Sequence, residues 1–129
     1  MPITYDYIAE SKQVRAIASG IISVTDILTY LNEVLTDPRI AEGFVEVVNF
    51  EAIEDLVLRY AELAPFKQVW SEYQKKGCAA VILYAPTDLS FGSLRMVQAV
   101  IQLSDENVAD HFVVVRTKEE LQSELLKHP

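Results

Sequence analysis

The sequence predicts an α/β fold, a β-hairpin followed by alternating helices and mostly parallel strands in the order β-β-α-β-α-β-α-β-α. Three observations carry this expectation. Residues 79–84 are apolar throughout, as in a central parallel strand covered on both faces. Runs of β-formers alternate with segments whose apolar residues recur every three or four positions. The first two β-rich runs are separated only by the polar turn Glu10-Ser11-Lys12, which reads as a hairpin. Strands alternating with helices in this way build a parallel sheet through right-handed crossovers.

The hairpin is expected over residues 3–8 and 14–19, both rich in β-branched and aromatic side chains. Ser23-Val24-Thr25-Asp26 reads as a helix start, since a serine hydroxyl can accept from an early amide and an aspartate suits the positive end of the helix. Val24, Ile27, Leu28, Leu31, Val34 and Leu35 then form one apolar stripe, and Asp37-Pro38 ends the helix. Residues 44–50 read as a strand, whereas 51–58 carry no clear period. A helical pattern with Tyr60, Leu63, Phe66, Val69, Trp70 and Tyr73 on one side runs to Lys76, and Gly77 caps it. Pro65 either kinks that segment or starts a new helix, because it lacks the amide an interior turn needs. After the strand at 79–84, a helix over 89–103 is capped by Thr87 or Asp88. Residues 112–115 form a last strand, and Thr117-Lys118-Glu119-Glu120 is a capping box opening a final helix.

The chain has 129 residues, half of them apolar, which suits one domain spanning 1–129 with a real core. Nineteen acidic against 11 basic side chains give a formal charge of −8, the wrong sign for non-specific attraction to nucleic acid. One cysteine, Cys78, fits a reducing cytoplasm and provides no thiolate cluster for zinc. It precedes the buried strand and follows a helix C-terminus, whose negative end raises a thiol pKa, so packing is its expected role. The opening residues have no basic flank or apolar block of the signal-peptide kind, and no apolar run approaches the roughly 20 residues that span a bilayer.

Chemistry-bearing patterns are sparse. His111 and His128 have no Cys, Asp or Glu at a spacing that assembles a metal site, and Asp110 beside His111 would point to the opposite face of a strand. There is no Gly-x-Ser-x-Gly elbow and no glycine-rich phosphate loop. No metal, cofactor or enzymatic activity is therefore expected. The distinctive element is the helix over 89–103. Arg95, Gln98 and Gln102 make a narrow polar stripe, with Phe91 on that side, while Leu94, Met96, Val97, Ala99, Val100, Ile101 and Leu103 spread round the rest. A helix lying on a sheet needs an apolar arc of little more than about 100°. The excess calls for a neighbouring helix, a second subunit, a bound apolar molecule or a membrane surface.

The strand at 79–84, followed by Ala85-Pro86-Thr87-Asp88, Phe91-Gly92 and Arg95-Met96, resembles the SpoIIAA-like family of small bacterial proteins. The opening Met1-Pro2-Ile3-Thr4-Tyr5, the Gly20-Ile21-Ile22-Ser23 helix entry and Val47-Val48-Asn49-Phe50 fit the same pattern, so the resemblance covers nearly the whole chain. That family is similar to the STAS domain of anti-sigma-factor antagonists and to the CRAL-TRIO carriers of lipids and other apolar molecules. The resemblance implies a β-α superhelical sheet, no established enzymatic activity, and binding of a nonpolar ligand or a membrane surface. It departs in one respect: the STAS phosphorylatable serine lies in a turn after the third strand, and here residues 49–58 contain neither Ser nor Thr.

The expected function is thus a non-catalytic, cytoplasmic protein that holds a nonpolar small molecule or lipid, with peripheral membrane contact at most. Its ligand would sit among Phe66, Trp70, Tyr73, Phe91, Leu94, Arg95 and Met96, with Arg95 meeting a ligand carboxylate or an acidic partner. The alternative is a STAS-like regulatory module, without the phospho-switch, that docks another protein or forms a homodimer through the same surface.

Overall fold

A computed structural model describes residues 2–129 of the chain, so that Met1 of the quoted opening lies outside it. Strands β1 (Ile3–Ile8) and β2 (Gln13–Ser23) form the antiparallel hairpin. β3 (Val45–Val57), β4 (Ala80–Tyr84) and β5 (Phe112–Val115) follow parallel to β2, giving one five-stranded sheet in the order β1-β2-β3-β4-β5. Helices α1 (Val24–Thr36), α2 (Pro65–Lys76) and α3 (Asp88–Gln102) connect the parallel strands; a short α4 (Val108–His111) leads into β5, and α5 (Lys118–Leu126) follows it.

The twofold alternation of the strands sorts their side chains into two cores. Val14, Ala16, Ala18 and Ile22 of β2, Val48 of β3 and Val81 and Leu83 of β4 belong to the main core with the buried faces of α1, α2 and α3. Val45, Ala80, Ile82, Tyr84 and Val115 form a smaller core against Leu121 and Leu125 of α5. All five residues of β4 are therefore buried, as its unbroken apolar run requires. The α5 side does not cover β2, where Ile17 and Ile21 remain 56% and 62% exposed.

Local signals fix most boundaries. Ser23 caps α1 through a reciprocal box: its Oγ accepts from the Asp26 amide and the Asp26 carboxylate accepts from the Ser23 amide. Pro65 stands in the first turn of α2, so it starts a helix rather than kinking one. Gly77 ends α2 at φ 95°, where its amide reaches the carbonyls of Tyr73 and Gln74. A Cβ there would also run into Glu42. Thr87 and Thr117 cap α3 and α5 as expected.

Four expectations need correction. β2 extends four residues past Ser19, and β3 seven past Phe50, because Ser19 to Ser23 pair with Ala52 to Val57 and so supply each other's backbone partners. Gly20, at φ 75°, lies within the register shifts that this pairing needs. The acidic stretch after Phe50 is thus strand rather than a turn, its free edge blunted where Asn49 and Asp55 side chains take the amides of Glu51 and Leu56. His111 ends the unexpected α4 instead of lying in a strand. Gln98 is not on a water-facing stripe: it is half-buried, and its amide donates to the Phe112 carbonyl. Phe91 is half-buried rather than exposed, packed on the edge of the main core.

Ser23→Ala removes the hydroxyl half of the α1 capping box, leaving the Asp26 amide without its acceptor while the hydrogen bond from the Ser23 amide to Asp26 can persist, and should lower the unfolding free energy by about 1 kcal/mol. Urea unfolding followed by circular dichroism measures this; an unshifted midpoint would mean that water replaces the cap at no cost.

Candidate functional site

β3 is the middle strand, and the alternation that sends Val45 and Val47 toward α5 sends Glu46 into the main core between Val14 of β2 and Val81 of β4. Glu46 is 1% exposed. Two tyrosines meet it from above: Tyr30 Oη of α1 donates to Glu46 Oε2 at 2.8 Å and Tyr73 Oη of α2 donates to the same oxygen at 2.6 Å. Their rings are fixed from behind by edge contacts, Tyr30 with Tyr5 and Tyr73 with Phe44, each at 5.8 Å between centroids.

The carboxyl is perturbed. Burial raises its pKa from the usual 4.5 to about 7, against the opposing hydrogen bonds from Tyr73 and Tyr30, which favour the charged form. Burial, then the charge of Glu46, pushes both tyrosines well above their ordinary value, and the same two causes raise the nearby Cys78 thiol. Cys78 is buried, with its Sγ on the Ala80 carbonyl, which suits packing rather than nucleophilic work.

Glu46 also borders empty space. A cavity of about 60 Å³ lies over the sheet, walled by Ile27, Tyr30 and Leu31 of α1, Phe66 of α2, Leu94 and Val97 of α3, and Val48, Val81 and Leu83 below. A second of about 30 Å³, toward Trp70, Tyr73 and Ile101, shares Leu31, Glu46, Phe66, Val81 and Phe112 with the first. Glu46 Oε1 has no hydrogen-bond partner among the described residues, yet it is not among fully enclosed orphan atoms, of which there are none. That oxygen therefore keeps a sliver of accessible surface, and the residue's depth makes the void the place for it. The walls are otherwise apolar. A buried water needs two to four polar partners, so this space suits an apolar body carrying one polar group better than it suits water.

The expected site residues divide. Phe66 lines both cavities, Leu94 the first, and Trp70 and Tyr73 the second. Trp70 stacks edgewise on Phe112 at 5.7 Å, and its Nε1 donates to Asp105 at 2.8 Å, facing an outer polar groove. Phe91, Arg95 and Met96 line neither cavity. The guanidinium groups of Arg95 and Arg116 lie 5.6 and 5.0 Å from the centroid of the Phe91 ring, and Arg116 pairs with Asp88. Arg95 itself is exposed. Sequence reasoning missed Glu46, Tyr30 and the whole contribution of α1. A signal was present: in Phe44-Val45-Glu46-Val47-Val48, a lone carboxylate shares the inward register of Phe44 and Val48. Tyr30 follows Ile27 by three and precedes Val34 by four, which places it on the buried stripe of its helix.

Among the described residues no group of three or more His, Cys, Asp or Glu is placed to hold a metal ion, and no helix is long and apolar enough to cross a membrane. No family model and no curated protein matches the sequence. A fold likeness exists to the crystal structure of an uncharacterized protein from Shewanella loihica PV-4, described as a DUF3478 family member with a SpoIIAA-like fold. It has 14% identity over 95% of this chain and 93% of that one, with a TM-score of 0.47. What the site does therefore rests on this chain's own residues.

The raised pKa of Glu46 makes stability depend on pH. Its folded value lies above its unfolded one, so the stabilising contribution is complete below about pH 4.5 and is lost as pH rises through about 7. Ionisation in the core should remove about 3 kcal/mol by pH 8. Glu46→Gln cannot ionise and should flatten this part of the profile. Equal pH 5.5 to pH 8 losses in urea melts of the parent and variant would refute the assignment.

Proposed function

We propose that the protein is a non-catalytic binding protein for a small, mostly apolar molecule, its body in the cavity over β3 and β4 and its polar end on Glu46. The observation that carries this reading is the free Oε1 of a buried carboxyl beside an otherwise apolar void. Pre-formed small-molecule sites have this character, apolar walls with very few placed polar groups. The one nucleophile type near Glu46, the Cys78 thiol, is buried, bonded to the Ala80 carbonyl and pushed toward its unreactive protonated form, which supports holding a ligand over transforming one.

Volume narrows the ligand. A cavity of about 150 Å³ accepts benzene, and the two voids here, about 60 and 30 Å³, are smaller. A molecule of a few carbons fits with small shifts, whereas a lipid chain requires the helices to part. The start of α2 is the natural point of entry. It has no side-chain cap, and Phe66 there is held by packing. The other end is tied down by Tyr73 on Glu46 and by the Lys76 ammonium on the carbonyls of Leu35 and Asp37.

The alternative, a regulatory module docking through α3, draws less support, and so does peripheral membrane contact through that helix. Leu94, Val97, Val100 and Ile101 of α3 are buried in the protein's own core.

Trp70 lines the inner void and reports on it. Titration with isobutanol should change its emission saturably, and Val97→Phe, which fills the larger cavity, should abolish the change while leaving the melting temperature within a few degrees. A linear drift identical in both proteins would rule out the pocket as a binding site.

A further inference from the structure

We propose that the pocket takes a small protonated amine with an apolar body, its ammonium seated on Oε1 of Glu46. This rests on the reading of the cavity as a ligand site and adds the chemistry of the ligand's polar end.

The hydrogen-bond inventory selects a donor. Tyr30 and Tyr73 both give their hydroxyl hydrogens to Oε2, so neither has one left for a guest. The group open to the cavity is a carboxylate oxygen, which only accepts once ionised. With Glu46 ionised, a guest whose polar end is a ketone finds no donor there, and a carboxylate is also repelled. Guests that bring an N–H or O–H remain.

Charge then separates amines from alcohols. Buried carboxylates are normally paired with a cation, and among the described residues no Lys, Arg or His side chain pairs with Glu46. Lys76 of α2 is spent on the carbonyls of Leu35 and Asp37. An ammonium supplies the missing charge, and a charge-assisted bond is about twice as strong as a neutral one. The void is walled in addition by the aromatic side chains of Tyr30, Phe66, Tyr73 and Phe112, surroundings that favour a cation over a second anion.

The titratable groups facing Glu46 are Tyr30 from α1, Tyr73 from α2 and Cys78 from the segment before β4, all pushed upward and neutral where Glu46 ionises. α3 and β5 bring only Leu94, Val97, Ile101 and Phe112 to the cavities. Glu46 must lose its proton before an ammonium can seat. Amine affinity should therefore fall about tenfold per pH unit below the carboxyl's value of about 7, and hold steady above it until the amine itself deprotonates near pH 10.

Isobutylamine and isobutanol, matched in shape, make the test by calorimetric titration of the intact chain at pH 5, 6, 7 and 8. The expected result at pH 8 is an amine at least about tenfold tighter than the alcohol, with the advantage vanishing toward pH 5 while alcohol binding barely moves. Glu46→Gln should lose the preference and still take isobutanol. The pH series on the unaltered protein stands by itself if that variant folds poorly. Alcohol binding equal to or tighter than amine binding at pH 8 would overturn the amine assignment and leave the pocket intact. Binding of neither compound would overturn both.

Discussion

A carboxyl group in the middle of the central strand is the constraint around which the helical layer is arranged. Glu46 loses water on folding, a cost of several kcal/mol for a charged group, and the chain answers with two tyrosine hydroxyls on one of its oxygens. Those bonds tie α1 and α2 to β3. Each ring is fixed in turn by a second aromatic, Tyr5 from the edge strand and Phe44 from the approach to β3. A leucine at position 46 would suit the same layer without any of this apparatus, since well-packed apolar residues commonly match or exceed buried polar groups in stability. Stability alone is therefore a poor account of the carboxyl, and the ligand-holding role proposed for its free oxygen is a better one.

The void follows from how the three helices share the sheet. α1 lies toward the hairpin side and α3 toward β5, while α2 packs on both helices. The space beneath α2 is bounded by medium-sized side chains such as Val48, Val81 and Val97, which do not reach across it. Phe66 and Tyr73, seven residues or about two turns apart on the inward face of α2, span the gap from its two ends. The apolar excess on α3 has an ordinary explanation: α2, α4, β3 and β5 all pack against it, so a broader arc is covered than one sheet alone would cover.

Much of the fold was legible because it is written in local terms. The Ser23 box, the Thr87 and Thr117 caps, Pro65 and Gly77 each act through atoms within four residues, and the apolar run of β4 needs no partner to be recognised. The misread places are those where a distant strand decides. Residues 51–57 have exposed acidic side chains and a mixed pattern, and become strand only because β2 bends past Gly20 to pair with them. Gln98 looked like a surface residue because its partner, the Phe112 carbonyl, lies 14 positions away. The site divided in the same way. Aromatic size marked out Phe66, Trp70 and Tyr73, but size cannot locate a polar anchor, and the ring of Phe91 packs with the guanidinium groups of Arg95 and Arg116 away from both cavities. Glu46 was hidden by its own setting: among 19 acidic residues, only strand register marks out the one that lies beneath the helices in the sheet.

Stability and occupancy are linked through this residue. With the cavity empty, ionisation of Glu46 puts an uncompensated charge in the core, and the folded state bears that cost at neutral pH and above. A guest that satisfies Oε1 binds the folded chain and not the unfolded one, so it returns stability in proportion to the logarithm of its concentration over its dissociation constant. On the proposed reading, the contact that selects the guest would also tighten α1 and α2 onto β3, because their tyrosines share the carboxylate that the guest would complete. Binding at Glu46 should be felt most at the uncapped start of α2, the wall of the cavity that polar bonds hold least.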